Sequence, residues 1–269
     1  MNWGTSGMKR RLATALGCLL LASLAHADDC RQQLPAWIEM AHPGHTAGQV
    51  LEDERGRYRV DAEQSICKVW PARPQLTLLA MPRVRAEHDD YGKADLELLV
   101  FDSARQRFLA RLVEPNRLDW DAVFIEDLRF DTAPYRLRAD DIAFGVRISR
   151  RGSSRPNPFY ETRLDLYQLD TDSLRPLLSE LPVRTAGGEW DTNCSGAFSE
   201  TKGVLVITEQ VGNQGYRKLW LKNTRVERRT AMIDGECRTV EESTHRYQLP
   251  IEYGDERYLL PIELVSDPL

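Results

Sequence analysis

Residue types that commonly perform catalysis are present in this chain, but no recognisable catalytic motif arranges them. The G-x-S-x-G elbow of serine hydrolases is absent, and Ser195 follows a cysteine directly instead of standing on a strand-to-helix turn. The motifs H-E-x-x-H, G-x-x-x-x-G-K-[ST] and G-x-G-x-x-G between a strand and a helix are absent too. A catalytic triad can be assembled from residues far apart in sequence, and nothing here selects one. The sequence therefore predicts no catalytic residue and no cofactor.

Metal ligands are not predicted either. His42 and His45 lie three residues apart, but the Pro43-Gly44 between them favours a solvated turn over a helical face, and no third ligand is near. The acidic pair at 170–172 has the first two positions of a calcium loop without its glycine and terminal glutamate, so it is interpreted as a hairpin turn.

The cysteines have a structural interpretation. Cys18 lies in the N-terminal apolar run, and the remaining four are Cys30, Cys67, Cys194 and Cys237. An even number without C-x-x-C spacing is typical of disulfides in an exported chain. We expect the pairs Cys30–Cys67 and Cys194–Cys237, because each closes a local loop. One or more free buried thiols is the alternative.

The N-terminus has the three parts of a secretory signal. A basic cluster at 9–11 precedes an apolar run at 12–24 and the small-residue motif Ala25-His26-Ala27. We therefore expect residues 1–27 to be a cleaved signal peptide and residues 28–269 to form a single β-rich domain. A membrane anchor and a lipoprotein modified at Cys18 are the alternatives, but the run is short for a bilayer span.

Charge limits the partners. Residues 1–27 carry three basic and no acidic groups, so 33 basic and 41 acidic side chains remain after cleavage, a formal net charge of −8. An acidic protein is not expected to bind nucleic acid, since phosphates require a basic surface. No second apolar run approaches membrane length, and no membrane span is expected after signal cleavage.

Hydrophobic alternation predicts strands along most of the chain. Phe144, Val146 and Ile148 alternate with polar or small residues before the turn-rich segment 152–158, and Leu164 and Leu166 resume the pattern after it, which predicts a long hairpin. About a dozen such short strands, separated by turns, predict an all-β protein of packed antiparallel sheets with a short N-terminal helix at 32–40. A small β-propeller is the alternative. Residues 187–196 are interpreted as a turn-rich linker.

Two surface features are candidate binding sites. Four arginines, Arg147, Arg150, Arg151 and Arg155, lie on and around the tip of the long hairpin, where they can bind carboxylate or phosphate groups. Charges at a hairpin tip also serve solubility. Trp190 lies in a glycine-flanked segment beside Cys194, and it either recognises a ligand or packs over the disulfide.

The sequence favours a binding function over catalysis. We predict an exported, disulfide-stabilised protein of the periplasm or the secreted fraction, whose partner is an envelope protein or a cell-wall or surface polymer. An envelope accessory or an inhibitor or immunity protein is a specific form of this hypothesis. The alternatives are a structural subunit and a periplasmic hydrolase that acts on a glycan through paired carboxylates, whose spacing is not visible in sequence.

Overall fold

The computed structural model of the protein describes residues 1, 26–44, 48–139 and 141–265. The predicted signal peptide lies outside the described residues except for residues 1, 26 and 27. The first element, α1 (His26–Ala41), is longer than the predicted helix at 32–40 and crosses the predicted cleavage site. Because the sequence HADDCR before Gln32 contains no helix breaker, the helix extends to His26 and Pro35 stands in its interior.

Six strands from the first half of the chain form one antiparallel sheet. They are β1 (Val50–Asp53), β2 (Gly56–Val60), β3 (Ile66–Val69), β4 (Leu76–Glu87), β5 (Gly92–Asp102) and β6 (Arg107–Trp120). The order is β1-β2-β4-β5-β6, and β3 pairs with β4 on the side that β2 also uses. β4 continues through Pro82 at the point where its neighbour changes from β3 to β2, a break in the ladder that tolerates proline.

Eight strands from the second half form the other sheet. They are β7 (Val123–Tyr135), β8 (Ala143–Gly152), β9 (Phe159–Leu169), β10 (Leu174–Trp190), β11 (Gly196–Val211), β12 (Arg217–Ile233), β13 (Glu236–Gly254) and β14 (Arg257–Leu259). Each strand pairs with its sequence neighbours, so the sheet is a meander. A 3₁₀ turn (Asn213–Gly215) joins β11 to β12, and α2 (Ile262–Val265) follows β14.

The all-β prediction with packed antiparallel sheets is confirmed, and the described strands do not form propeller blades. The predicted long hairpin is β8 and β9. Four strands are longer than expected: β10 to β13 have 17, 16, 17 and 19 residues. The predicted linker at 187–196 is also wrong, because residues 187–190 continue β10 and Gly196 begins β11.

The two sheets pack face to face through the alternating residues of the long hairpin. Phe144, Val146 and Ile148 are buried in one cluster with Leu96, Leu98 and other residues of β4 to β7. Burial of these side chains is the main stabilising contribution to this half of the molecule.

Helix α1 covers the outer face of the six-stranded sheet. Leu34, Trp37 and Ile38 pack on Leu79 and Phe101, and the Trp37 and Phe101 ring centroids are 5.2 Å apart. The Cys30–Cys67 disulfide joins this helix to β3, as predicted.

A third cluster holds the first part of β12, the end of β13, β14 and α2 together. Leu221, Ile251 and Tyr258 are buried in it, and Leu264 of α2 packs against it.

Beyond this cluster the eight-stranded sheet continues as a single layer. None of the residues 184–190, 196–202 and 224–248 is buried. We call the segments 159–163, 184–190, 196–202, 223–230 and 239–247, from β9 to β13, the distal sheet. The Cys194–Cys237 disulfide links the β10–β11 turn to the start of β13 across the end of β12, again as predicted.

Replacing both Cys194 and Cys237 with Ala is expected to destabilise the distal sheet. Loop entropy for the 43-residue separation corresponds to about 4 kcal/mol, and no apolar core compensates for its loss here. Hydrogen exchange should rise at 184–202 and 223–246 and stay unchanged in β5 and β8. The matched variant, with Cys30 and Cys67 replaced by Ala, should raise exchange in α1 and β3 instead. A uniform rise in both sheets of the first variant would contradict the assignment.

Candidate functional site

The distal sheet presents two different solvent-exposed faces. Residues that pair directly across neighbouring strands lie on the same face of the sheet. The residues one position further along each strand form another paired line, and that line lies on the opposite face. Gly187, Ser199, Glu227 and Ser243 form one line. We call the face that carries them the groove face, and the opposite face, which carries Trp190, the Trp190 face.

The groove face holds two neighbouring cavities. The larger is an open concavity of about 720 Å³ over the outer part of β10 to β13. The smaller, of about 310 Å³, lies nearer the third hydrophobic cluster, and Glu263 and Leu264 of α2 contribute to its wall. Phe159 and Arg225 line both cavities. The two cavities adjoin at these residues, and we call them together the groove; the larger one is open, and α2 walls the smaller one.

The floor of the larger concavity is made of small residues. Because Gly187, Ala197 and Ser199 are small, little side-chain volume rises above the backbone of the sheet at these positions. Phe159 and Arg229 are among the larger residues that line the concavity. A Cβ atom at Gly187 would meet nothing closer than the Pro158 carbonyl at 3.7 Å, so the absent side chain leaves usable space.

Charges along the groove are paired and balanced in sign. Arg225 Nε lies 3.0 Å from Glu227 Oε1, and Arg229 Nη1 lies 3.6 Å from Glu241 Oε2. Deeper in the groove, Arg163 Nε donates to both oxygens of Glu161 at 3.0 Å. The groove therefore offers both guanidinium and carboxylate groups to a ligand.

The smaller cavity contains a buried amide that lacks a partner. Asn223 is only 4% exposed, and its Nδ2 has no hydrogen-bond partner among the described residues. Gly203 pairs with Asn223 across β11 and β12, and a Cβ atom there would lie 2.8 Å from the Asn223 Oδ1. The glycine thus provides the space in which the amide lies. Thr185 and Thr201 also line this cavity.

A further concavity of about 610 Å³ extends over the Trp190 face, and it shares six lining residues with the larger concavity: Pro158, Phe159, Gly187, Phe198, Ser199 and Arg228. Arg184 stacks on Tyr160, 4.5 Å from the ring centroid, and donates to Glu200 at 2.9 Å. Burial opposes the ionisation of Glu200, but hydrogen bonds from Arg184 and Lys202 hold its pKa below the ordinary value. The groups on this face are engaged with one another.

The four predicted arginines do not form one patch. The alternation of β8 places Arg147 and Arg151 on the face opposite to Arg150. Arg147 donates to Asp131 at 2.7 Å, Arg150 lies 3.7 Å from Glu161, and Arg151 pairs with Glu126.

The structure does bring Arg155 and Trp190 together. Arg155 is exposed in the β8–β9 turn, and its carbonyl accepts a 2.6 Å hydrogen bond from Trp190 Nε1. The Trp190 amide donates to the Pro156 carbonyl at 3.0 Å. Trp190 is half-buried, with its ring centroid 6.2 Å from that of Phe198. These contacts join the two hairpin tips.

A buried ionic network lies in the six-stranded sheet, away from the groove. Asp95 is fully buried and accepts hydrogen bonds from Arg85 Nε at 2.6 Å and from the Asn116 amide at 2.9 Å, while Arg55 lies 2.8 Å away. Burial opposes ionisation, but these bonds keep the pKa of Asp95 below its ordinary value. The hydrogen bond from Arg85 likewise keeps the pKa of Asp53 well below its ordinary value, although burial opposes it.

The sequence predicted that His42 lies in a solvated turn, and this prediction is wrong. It is 4% exposed, with Nε2 2.7 Å from Glu97 and Nδ1 3.1 Å from the Tyr58 hydroxyl. The reason is that α1 ends against the six-stranded sheet, where Glu97 of β5 faces the helix end. The other half of that motif, His45, lies outside the described residues.

A second ionic network joins the two sheets. Arg117 of β6 binds Asp165 of β9, with Nε at 3.1 Å, and Glu180 of β10, with Nη1 at 3.0 Å. Next to it, the Tyr167 hydroxyl donates to Glu114. Burial raises the pKa of Glu114, although the bond from Tyr167 opposes the rise. Glu114 has the setting of a general acid, but it lines none of the cavities described above.

Among the described residues, no group of three or more His, Cys, Asp or Glu side chains is arranged to hold a metal ion. No helix within the described part of the chain is long and apolar enough to cross a bilayer.

Comparison of the chain with protein-family models, curated proteins and solved structures finds no match. The function must therefore be argued from the groove itself.

Asn223, Thr201 and Phe159 were not predicted from the sequence as site residues. The strand period of two places Asn223, Arg225 and Glu227 on one face, but the polar segment 223–227, NTRVE, has no clear apolar alternation that would reveal it. Which face is open and which glycine lies opposite depend on the register with β11, which no local pattern shows.

Replacing Asp95 with Asn is expected to destabilise the protein by about 3 kcal/mol, because it removes one of the two carboxylates that neutralise the buried Arg85 guanidinium and leaves only Asp53. A depressed carboxylate pKa contributes stability above the ordinary pKa of about 4, and this stability is lost as the pH falls through the folded-state pKa. The melting temperature of the wild type should therefore decline more steeply below about pH 4 than that of the variant. Equal slopes would show that folding does not lower the pKa of Asp95.

Proposed function

We propose that the protein is an exported binding protein of the bacterial envelope, periplasmic or secreted, that holds a cell-wall polymer along the groove face. The observation that carries the proposal is the open-ended groove on a single-layer sheet, lined by residues of five neighbouring strands. A small solute is ordinarily bound in an enclosed pocket, whereas an extended chain needs a groove with an open end.

The chemistry of the groove suits peptidoglycan. A sugar ring presents hydroxyl groups at its edge and C–H groups on its faces, and the groove offers Thr and Ser hydroxyls beside Phe159 and Tyr247. The peptide stems of peptidoglycan carry both carboxylate and ammonium groups. Arg229 and Glu241, 3.6 Å apart and both exposed, supply ligands for both signs of charge.

The covalent framework agrees with export. Two disulfides, one in each half of the molecule, are typical of proteins in an oxidising compartment. The predicted signal peptide at 1–27 supports the same location.

Binding is favoured over glycan hydrolysis by the position of the carboxylates. Glu161, the most buried carboxylate of the groove, is 7% exposed, and both its oxygens accept hydrogen bonds from Arg163. Glu114, whose pKa is raised by burial, lies outside the groove. Glu189 and Glu263 also line the groove, but both are exposed to solvent. Among the described residues, the groove thus lacks the free acid in an apolar setting that paired-carboxylate hydrolysis requires.

A pair of variants on adjacent residues of β10 tests the groove. Gly187→Leu places a side chain on the groove floor, and Ala186→Leu places the same bulk on the Trp190 face. In co-sedimentation with purified peptidoglycan sacculi, we expect the wild type and Ala186→Leu to pellet and Gly187→Leu to remain in solution. Melting temperatures should stay similar, since Gly187 is not in a positive-φ conformation and has room for a side chain.

The opposite pattern, with Ala186→Leu alone impaired, would move the site to the Trp190 face. Arg155→Ser is a third arm, because Arg155 is exposed at the joined hairpin tips. The wild type could fail to bind sacculi and instead capture an envelope protein that Arg155→Ser alone no longer binds. The ligand would then be a protein bound at Arg155 and Trp190, and not a polymer.

We expect no release of reducing sugar when the wild type is incubated with sacculi, because Glu161 is held by Arg163. The measurement is the appearance of soluble reducing ends over time. Release by the wild type that disappears in Glu161→Gln would establish the hydrolase alternative.

A further inference from the structure

The smaller cavity of the groove contains a buried donor that no described residue pairs with. An amide nitrogen buried without a partner is uncommon in native proteins, since it forfeits the hydrogen bonds it makes in water. Asn223 is in this state at the cavity wall, and Gly203 opposite leaves the space for it. Such an unpaired donor is expected where a ligand supplies the acceptor.

The remaining groups of the cavity indicate what the ligand is. Each guanidinium group of the cavity has a carboxylate partner: Arg163 binds Glu161, and Arg225 forms an ion pair with Glu227, although its Nε, like Asn223 Nδ2, has no hydrogen-bond partner among the described residues. A charged ligand group would have to compete with these pairs, whereas a neutral carbonyl can accept directly from Asn223.

Apolar groups lie in the same cavity. Pro182, Leu264 and Phe159 line it together with Thr185 and Thr201. A neutral carbonyl next to a methyl group, on a hydroxylated ring, is the acetamido group of an N-acetylated amino sugar. The volume of about 310 Å³ is at the lower end of the range for ligand pockets and suits one such unit.

We propose that the cavity between β9–β13 and α2 is the subsite for one N-acetylhexosamine unit, with its acetamido carbonyl accepting from Asn223 Nδ2 and its methyl group against Leu264 and Pro182. This inference rests on the proposed binding of a cell-wall polymer and names the unit that anchors it.

Asn223→Leu is the decisive variant, because it removes the donor and keeps a similar volume. The Asn223 Nδ2 has no partner to lose, so the melting temperature should stay equal or rise. The probes are N-acetylglucosamine, glucosamine and glucose, titrated by calorimetry or followed by protein chemical shifts. The wild type should bind N-acetylglucosamine about tenfold more tightly than the other two sugars, and Asn223→Leu should lose most of that difference.

A matched pair of threonine variants keeps the test independent of Asn223. Thr201→Val removes a hydroxyl from the cavity, and Thr224→Val makes the same change on the Trp190 face of the adjacent strand. Only Thr201→Val should weaken binding of N-acetylglucosamine. Equal binding by wild type and Asn223→Leu, or no binding of N-acetylglucosamine by the wild type, would overturn the subsite.

The result can be separated from that of the proposed function. In one outcome, the wild type pellets with sacculi, Gly187→Leu does not, and N-acetylglucosamine does not bind the wild type. This outcome would support polymer binding in the groove and overturn the subsite. If neither sacculi nor N-acetylglucosamine binds, both proposals fall.

Discussion

The hydrogen-bonded ladder of β10 to β13 continues beyond the point at which its side chains can be buried. The side-chain composition of the distal sheet follows from this lack of a covering layer. A strand satisfies its backbone groups through its neighbours whether or not another layer covers it, so the ladder can extend without a core. Its side chains must then suit water on both faces. The distal sheet meets this condition with threonines, serines and paired charges, and the Cys194–Cys237 bond supplies stabilisation that apolar burial supplies elsewhere.

The rest of the molecule is built in the opposite way. Apolar clusters lie between the two sheets and beneath α1. The same part of the molecule contains buried ion pairs such as Arg117–Asp165 and Arg85–Asp95. Buried charges of this kind are tolerated only when nearly all of their hydrogen bonds are made, and they fix the geometry of the strands that carry them. Arg117 in particular connects β6 to β9 and β10, and so ties the two sheets together. This packed part provides the rigid support from which the uncovered strands extend.

The sequence revealed the alternation of β8 and β9 because one face of that hairpin is apolar, and it revealed both disulfides because each closes a local loop. The lengths of β10 to β13 were underestimated from the sequence. Residues 223–231 are mostly polar, and hydrophobic alternation is lost when neither face of a strand is buried. Glycines in 187–196 suggested a linker, yet Gly188 lies in β10 where a Cβ would come within 2.6 Å of the Ala197 carbonyl. The site escaped prediction for the same reason: Gly203 and Asn223 become neighbours only through strand register.

The two open faces of the distal sheet are chemically unequal, and this asymmetry is what assigns a role to one of them. On the Trp190 face, Arg184, Glu200 and Tyr160 contact one another. The groove face, by contrast, contains a donor without an acceptor, a glycine floor and an inner end walled by α2. Because adjacent residues of one strand point to opposite faces, β12 can present Asn223 to a ligand and Thr224 to solvent within two positions. Under the proposed function, this uncovered sheet holds a binding site on one face while its other face contacts solvent.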